Sequence, residues 1–163
     1  MCSAFGKVFQ KRIRQEQKFI EFVYYLDNDR IVICGRYLAS HQKDTDLVTH
    51  ELMHIVQQYP GNQPGWLVEG IADYVRWKYG VDNAGGNWQL PSFQSRQRYT
   101  DSYRVTARFL VWLEQRVNKD IVNQLDRALR QNKYNNGQIW NQITKKSVNQ
   151  LWDSYSKSPN LQN

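Results

Sequence analysis

Two short runs of apolar residues near the N-terminus predict a β-hairpin. Residues 19–25 (FIEFVYY) and 30–34 (RIVIC) are rich in the aromatic and β-branched side chains that favour strands. Residues 27–29 (DND) lie between them and are typical of a turn. A helix is predicted before them, over residues 5–17. Because two strands alone are only marginally stable, this small sheet is expected to pack against the helices that follow.

From residue 43 onwards the spacing of the apolar side chains becomes that of helices. Asp44 or Thr45 is a suitable cap for the first of them. Its apolar side carries Leu47, Val48, Leu52, Ile55 and Val56. The Pro60–Gly65 segment interrupts the pattern, and a second helix is predicted from Trp66 to Tyr79, ended by Gly80.

The C-terminal half continues the helical pattern after a long loop. Residues 81–98 contain two adjacent glycines and a proline, and are predicted as an irregular loop of a length that is often functional. Further helices are predicted over residues 100–117, 119–131, 136–143 and 147–157. The fold class expected is therefore α+β, a single domain over residues 1–163 with a small N-terminal β-sheet and a mainly helical remainder.

Composition changes this picture little. The 163 residues carry a net charge of +7 and a pI of about 9.5, which brings acidic partners to mind. The densest basic run, within residues 7–18, fits one solvated face of the first helix better than a nucleic-acid site. No DNA- or RNA-binding signature is visible, and no apolar stretch reaches the ~18 residues that a membrane span needs. We expect neither a specific nucleic-acid partner nor a membrane span.

The segment His50-Glu51-Leu52-Met53-His54 carries the chemistry. Positions i and i+4 lie on one face of a helix, so the imidazoles of His50 and His54 can reach a single ion. Glu51 would point beside that ion, where it can take a proton from bound water. The spacing predicts a Zn²⁺ site with Glu51 as the catalytic base. The alternative is an exposed helix with two unconnected histidines.

A hydrolytic zinc site needs a third protein ligand and one open position. Glu69 is the better candidate, because it follows the turn on the next predicted helix among apolar neighbours, where an unpaired carboxylate would be costly. The remaining histidine, His41, lies upstream in a predicted loop. Asp73, one turn after Glu69, could accept the free N–H of a ligating histidine. The alternative for Glu69 is a helix salt bridge with Arg76 or Lys78.

These residues resemble the basic secretory proteins, a group of plant and microbial zinc peptidases. The likeness rests on HELMH, on WLVEGIADYVR, and on residues 101–110 and 151–155, and it covers roughly residues 20–157. It implies a zincin-like metallopeptidase domain of the HExxH…E (gluzincin) type, with a small N-terminal sheet above a helical half. It also implies a secreted protein, although the chain shows no signal peptide.

The resemblance suggests an oxyanion donor as well. Residues 102–115 resemble the segment that carries the oxyanion tyrosine of zinc aminopeptidases, which makes Tyr103 the catalytic candidate beside Glu51. A packing role for Tyr103 is the alternative.

The function predicted is hydrolysis of peptide bonds in a peptide or protein substrate by a monomer. The competing function is a catalytically silent zinc-site binding protein with a basic surface.

The two cysteines leave the redox compartment open. Cys2 and Cys34 could pair in a secreted protein or remain free in the cytosol. Cys34 ends an apolar run and reads more simply as a buried small residue.

Overall fold

The computed structural model describes residues 23–26, 30–33 and 35–162. Strands β1 (Val23–Leu26) and β2 (Arg30–Ile33) pair antiparallel, with Val23 opposite Ile33 and Leu26 opposite Arg30. The predicted helix over residues 5–17, the basic run within it, most of the predicted first strand and both cysteines lie outside the described residues.

The predicted α+β class is wrong, because helices carry the described structure. Within residues 23–26, 30–33 and 35–162, the strand content is a two-stranded ribbon of four residues on each side, which is too small to form a sheet layer of its own. Residues 30–33 do form a strand, but the buried core that the described residues form lies in the helices. The described part of the chain is therefore a mainly α-helical protein.

Seven α-helices follow the ribbon in the described part of the chain. Their bounds are α1 Gly35–Ser40, α2 Leu47–Gln57, α3 Gly65–Tyr79, α4 Tyr103–Arg116, α5 Ile121–Arg130, α6 Gln138–Thr144 and α7 Val148–Lys157. Short 3₁₀ turns, Tyr99–Asp101 and Asn135–Gly137, precede α4 and α6. The helix predictions from residue 44 onwards are confirmed to within a few residues, whereas α1 was not predicted. None of these helices combines the length and apolar character that crossing a membrane requires.

Helices α3 to α7 enclose the core. Its fully buried side chains are aromatic and aliphatic: Leu67, Ile71, Phe109, Leu110, Val111, Leu113, Ile121, Leu125, Leu129, Trp140, Leu151 and Tyr155. Helices α3 and α4 approach each other closely at Gly70, where Thr106 fills the space that a side chain would occupy. This contact fixes Glu69, the neighbour of Gly70, relative to the start of α4.

Helix α2 packs on α3 and lies beside the ribbon, but much of its apolar side is uncovered. Val48, Leu52 and Val56 are 41–52 % exposed, although the sequence places them on the apolar side of this helix. The buried residues of α2 are Leu47, His50 and Gln57. Polar side chains therefore account for much of what α2 buries.

The segment over residues 81–98 has turns but no regular helix or strand, as predicted. Asp46 does not cap α2 with its side chain; its carboxylate instead accepts the backbone N–H groups of Val81 and Asp82, at 2.9 and 2.5 Å. Arg76 pairs with the buried carboxylate of Asp44 and lies over the ring of Trp88. These contacts tie the segment to the residues that precede α2.

Candidate metal centre

Helix α2 presents His50 and His54 on the face that meets α3. Their Nε2 atoms lie 3.1 Å apart, and their rings are nearly perpendicular, with centroids 4.8 Å apart. His50 is buried and His54 is largely so. The i, i+4 spacing therefore directs both imidazoles at one point, as expected for a helix.

Helix α3 brings Glu69 to the same point. Its Oε2 atom lies 3.3 Å from the Nε2 atoms of both His50 and His54. Tetrahedral ligands held 2.0–2.1 Å from a zinc ion are about 3.3 Å from one another, so these three atoms have the separations of three corners of such a site. Among the described residues, His50, His54 and Glu69 form the group that could hold a metal ion.

Two further side chains orient the histidines. Asp73 Oδ1 lies 2.6 Å from His50 Nδ1, and Gln57 Oε1 lies 2.7 Å from His54 Nδ1. With both Nδ1 atoms donating, each neutral imidazole turns the lone pair of its Nε2 towards Glu69. Two lone pairs and a carboxylate oxygen then face one another in a buried place. That donor set attracts a positive charge, which either a proton or a metal ion can supply.

The pKa values of the group show the same demand for positive charge. Burial disfavours an imidazolium, but hydrogen bonds to Asp73 and Glu69 outweigh it and raise the pKa of His50 to about 10. Burial also disfavours the charged form of His54, but the hydrogen bond and charge of Glu69, together with the hydrogen bond to Gln57, outweigh it and raise the pKa of His54. Burial alone would raise the pKa of Glu69, yet its bonds to both histidines lower it to about 2. The group therefore favours positive charge, which either protons or a metal ion can provide.

Glu51 lies beside the group. Its Oε1 is 4.0 Å from His50 Nε2, farther than Glu69 is from either histidine. Burial raises the pKa of Glu51, and the nearby histidines only partly oppose the effect. A carboxylate with a raised pKa next to the ligands suits proton transfer better than metal binding.

Tyr103 begins α4 on the same side of the molecule. Its ring lies nearly parallel to that of His50, with centroids 6.1 Å apart and an angle of 15° between the planes, and 54 % of the residue is exposed. The backbone there is unusual, because Ser102 and Tyr103 have φ values of 69° and 47°. Such conformations cost about 1–3 kcal/mol each and cluster at functional sites. Tyr103 is therefore not part of the buried core.

The structure also bears on two alternatives from the sequence, His41 as a ligand and a helix salt bridge for Glu69. His41 stacks on Tyr37 and bonds to Ser40 and to the Tyr37 carbonyl, and it is not part of the metal-binding group. The helix salt bridge considered for Glu69 is not formed: Arg76 pairs with Asp44, and Lys78 pairs with Glu114 at 2.5 Å.

Gln57 is the residue that the sequence analysis missed. It is 2 % exposed, and its Nε2 donates to the Val68 carbonyl at 2.9 Å while its Oε1 faces His54. Its position three residues after His54, on the same helix face, was the available signal.

Comparison with known proteins identifies a family for this chain. No curated protein and no solved structure matches the chain. A family described as peptidases of plants and bacteria matches residues 26–155, which include every residue of the candidate centre. This chain therefore belongs to the basic secretory protein family of peptidases.

Proposed function

We propose that this protein is a zinc-dependent peptidase in which His50, His54 and Glu69 hold the ion and Glu51 is the general base. The observation that carries the proposal is the convergence of two Nε2 lone pairs and one carboxylate oxygen at tetrahedral separations, with a second carboxylate, that of Glu51, partly buried beside them. Membership of a peptidase family supports the reaction class.

The roles of the chain's own groups follow from their positions. A bound zinc ion would lower the pKa of its water towards ~7 and polarise the scissile carbonyl. Glu51 would accept the proton of the attacking water and then deliver it to the nitrogen of the leaving amine. The Tyr103 hydroxyl would donate a hydrogen bond to the carbonyl oxygen as negative charge develops there.

Zinc rather than a harder cation is proposed because the donor set contains two imidazoles. Mg²⁺ and Ca²⁺ favour oxygen ligands, whereas two histidines with one carboxylate are typical of catalytic zinc.

We further propose that the protein acts as a monomer on peptide or protein substrates, and that it is secreted, as its family resemblance implies. Detection of the native protein in the medium of its source cells would test secretion.

Glu51→Gln tests the proposal directly. The variant should bind one zinc per chain as wild type does, because Glu51 is not a ligand, and its turnover of a peptide substrate should fall about 10²–10⁴-fold. Glu114→Gln is the matched control: it makes the same chemical change in α4, where the carboxylate contacts Tyr74 and Lys78.

Two results would contradict the proposal. Wild-type protein that takes up no zinc from a solution of the ion would remove the metal centre. Wild-type protein that binds zinc but shows no chelator-sensitive hydrolysis of a peptide library would favour the catalytically silent binding protein instead.

A further inference from the structure

Gln57 uses both ends of its side chain at the centre. It is the last residue of α2, and its amide lies between His54 on its own helix and the carbonyl of Val68 on α3. Val68 directly precedes the ligand Glu69. One buried amide thus joins the helix that supplies two ligands to the chain segment that supplies the third.

The backbone carbonyl of Val68 fixes the orientation of the Gln57 amide. A backbone carbonyl only accepts hydrogen bonds, so the Nε2 end of Gln57 must face Val68. The Oε1 end must then face His54 and can only accept from it. The proton of neutral His54 is consequently held on Nδ1, and its Nε2 keeps a lone pair for the centre.

The main chain of Gln57 is held independently. Arg130 on α5 donates to the carbonyls of Val56 and Gln57, at 2.5 and 3.1 Å, where α2 ends and its carbonyls lack helical partners. Two bonds to Asp126, at 2.7 and 3.0 Å, orient the guanidinium. The amide therefore starts from an anchored backbone position.

We propose that Gln57 is a positioning residue of the metal centre, which selects the Nδ1–H form of His54 and sets the distance between α2 and Glu69. This inference rests on the proposed metal site. It also distinguishes the two histidines: His50 is supported by the carboxylate of Asp73, whereas His54 is supported by a neutral amide. The centre gains orientation at His54 without a further negative charge beside the ligands.

Zinc affinity of the purified full chain, measured by competition with a chromogenic chelator, tests the inference. Gln57→Leu removes both contacts at similar size and should weaken zinc binding about 10–100-fold. Gln57→Glu keeps an acceptor for His54 Nδ1 but cannot donate to the Val68 carbonyl, so it should lose clearly less zinc affinity than Gln57→Leu. If Gln57→Leu does not fold, Gln57→Asn, which is too short to span both partners, carries the same expectation as Gln57→Leu.

Leu125→Ala is the control for general destabilisation. Leu125 is fully buried in α5, so this change lowers stability by creating a cavity but should leave the zinc affinity of the folded protein unchanged.

Three results overturn the inference: wild-type affinity in Gln57→Leu, equal losses in Gln57→Leu and Gln57→Glu, or an equal loss in Leu125→Ala. These results differ from failure of the proposed function, in which wild type itself would not bind zinc.

Discussion

Replacing Gly70 by alanine should loosen the contact between α3 and α4 and disturb the centre without touching a ligand. A Cβ at this position would lie 2.6 Å from Thr106 Cβ, and closer still to Thr106 Cγ2. Ordinary carbon contacts are about 3.5–4.0 Å. Thr106 cannot easily turn away, because its hydroxyl donates to the Tyr99 carbonyl at 2.7 Å. The helices must therefore separate by on the order of 1 Å.

The expected loss of folding stability in Gly70→Ala is the difference between a packing cost and a gain in helix propensity. Overpacking a core costs about 1–3 kcal/mol, and the better helix propensity of alanine returns up to about 1 kcal/mol. The net loss should be about 1–2 kcal/mol, which in a chain of this size lowers Tm by about 2–8 °C. Because Glu69 adjoins Gly70 and Tyr103 lies one turn before Thr106, zinc affinity and turnover should fall as well.

Gly65→Ala is the matched control for Gly70→Ala. Gly65 begins the same helix, and nothing lies within 4 Å of a Cβ there, so alanine should be neutral or slightly stabilising. Thermal unfolding of both variants, with zinc titrations, makes the comparison. Adding Thr106→Ser, which removes Cγ2 and keeps the hydroxyl, should recover part of the loss in a double-mutant cycle. A Gly70→Ala protein as stable as Gly65→Ala would refute the close-packing argument.

Three further substitutions probe the centre, and His41→Ala serves as a control outside it. Glu69→Ala should weaken zinc binding by orders of magnitude and His41→Ala should not, and a chelator competition that gave the reverse order would disprove the ligand assignment. Asp73→Asn keeps an acceptor near His50 but loses its charge, so the same titration should show a loss of about 10–100-fold. Tyr103→Phe should lower turnover by about 10²–10³-fold with little change in KM or zinc content; steady-state kinetics within about threefold of wild type would leave Tyr103 a packing role.

The parts of the centre that follow from local geometry were readable from the sequence. His50 and His54 share a face because helical spacing requires it, and the structure brings them together with Glu69 as predicted. Arg76 and Lys78 could not be assigned in the same way, because their partners, Asp44 and Glu114, lie 32 and 36 residues away in the chain. Contacts over such separations depend on how helices pack, which residue spacing does not encode.

The role of Gln57 and the fold class could not be predicted from the sequence, for two different reasons. A glutamine in a sequence does not by itself indicate a metal centre. The role of Gln57 can be recognised only when the packing of the helices shows that its amide contacts the Val68 carbonyl. The α+β prediction gave local strand preference too much weight. Residues 30–33 do pair as a strand, but the number of residues that share a core decides the class, and the core lies within α3 to α7.

The burial pattern of α2 links the metal centre to stability. This helix buries Leu47, His50 and Gln57, and the two polar members contact Asp73 and Val68 across the interface with α3. An ion held by His50, His54 and Glu69 would bridge the same two helices. Because a ligand that binds the folded state alone stabilises it by mass action, zinc would strengthen the attachment of α2 to α3 most directly. The core of α3 to α7 contains none of these ligands except Glu69 at its edge, so its packing should depend much less on the ion.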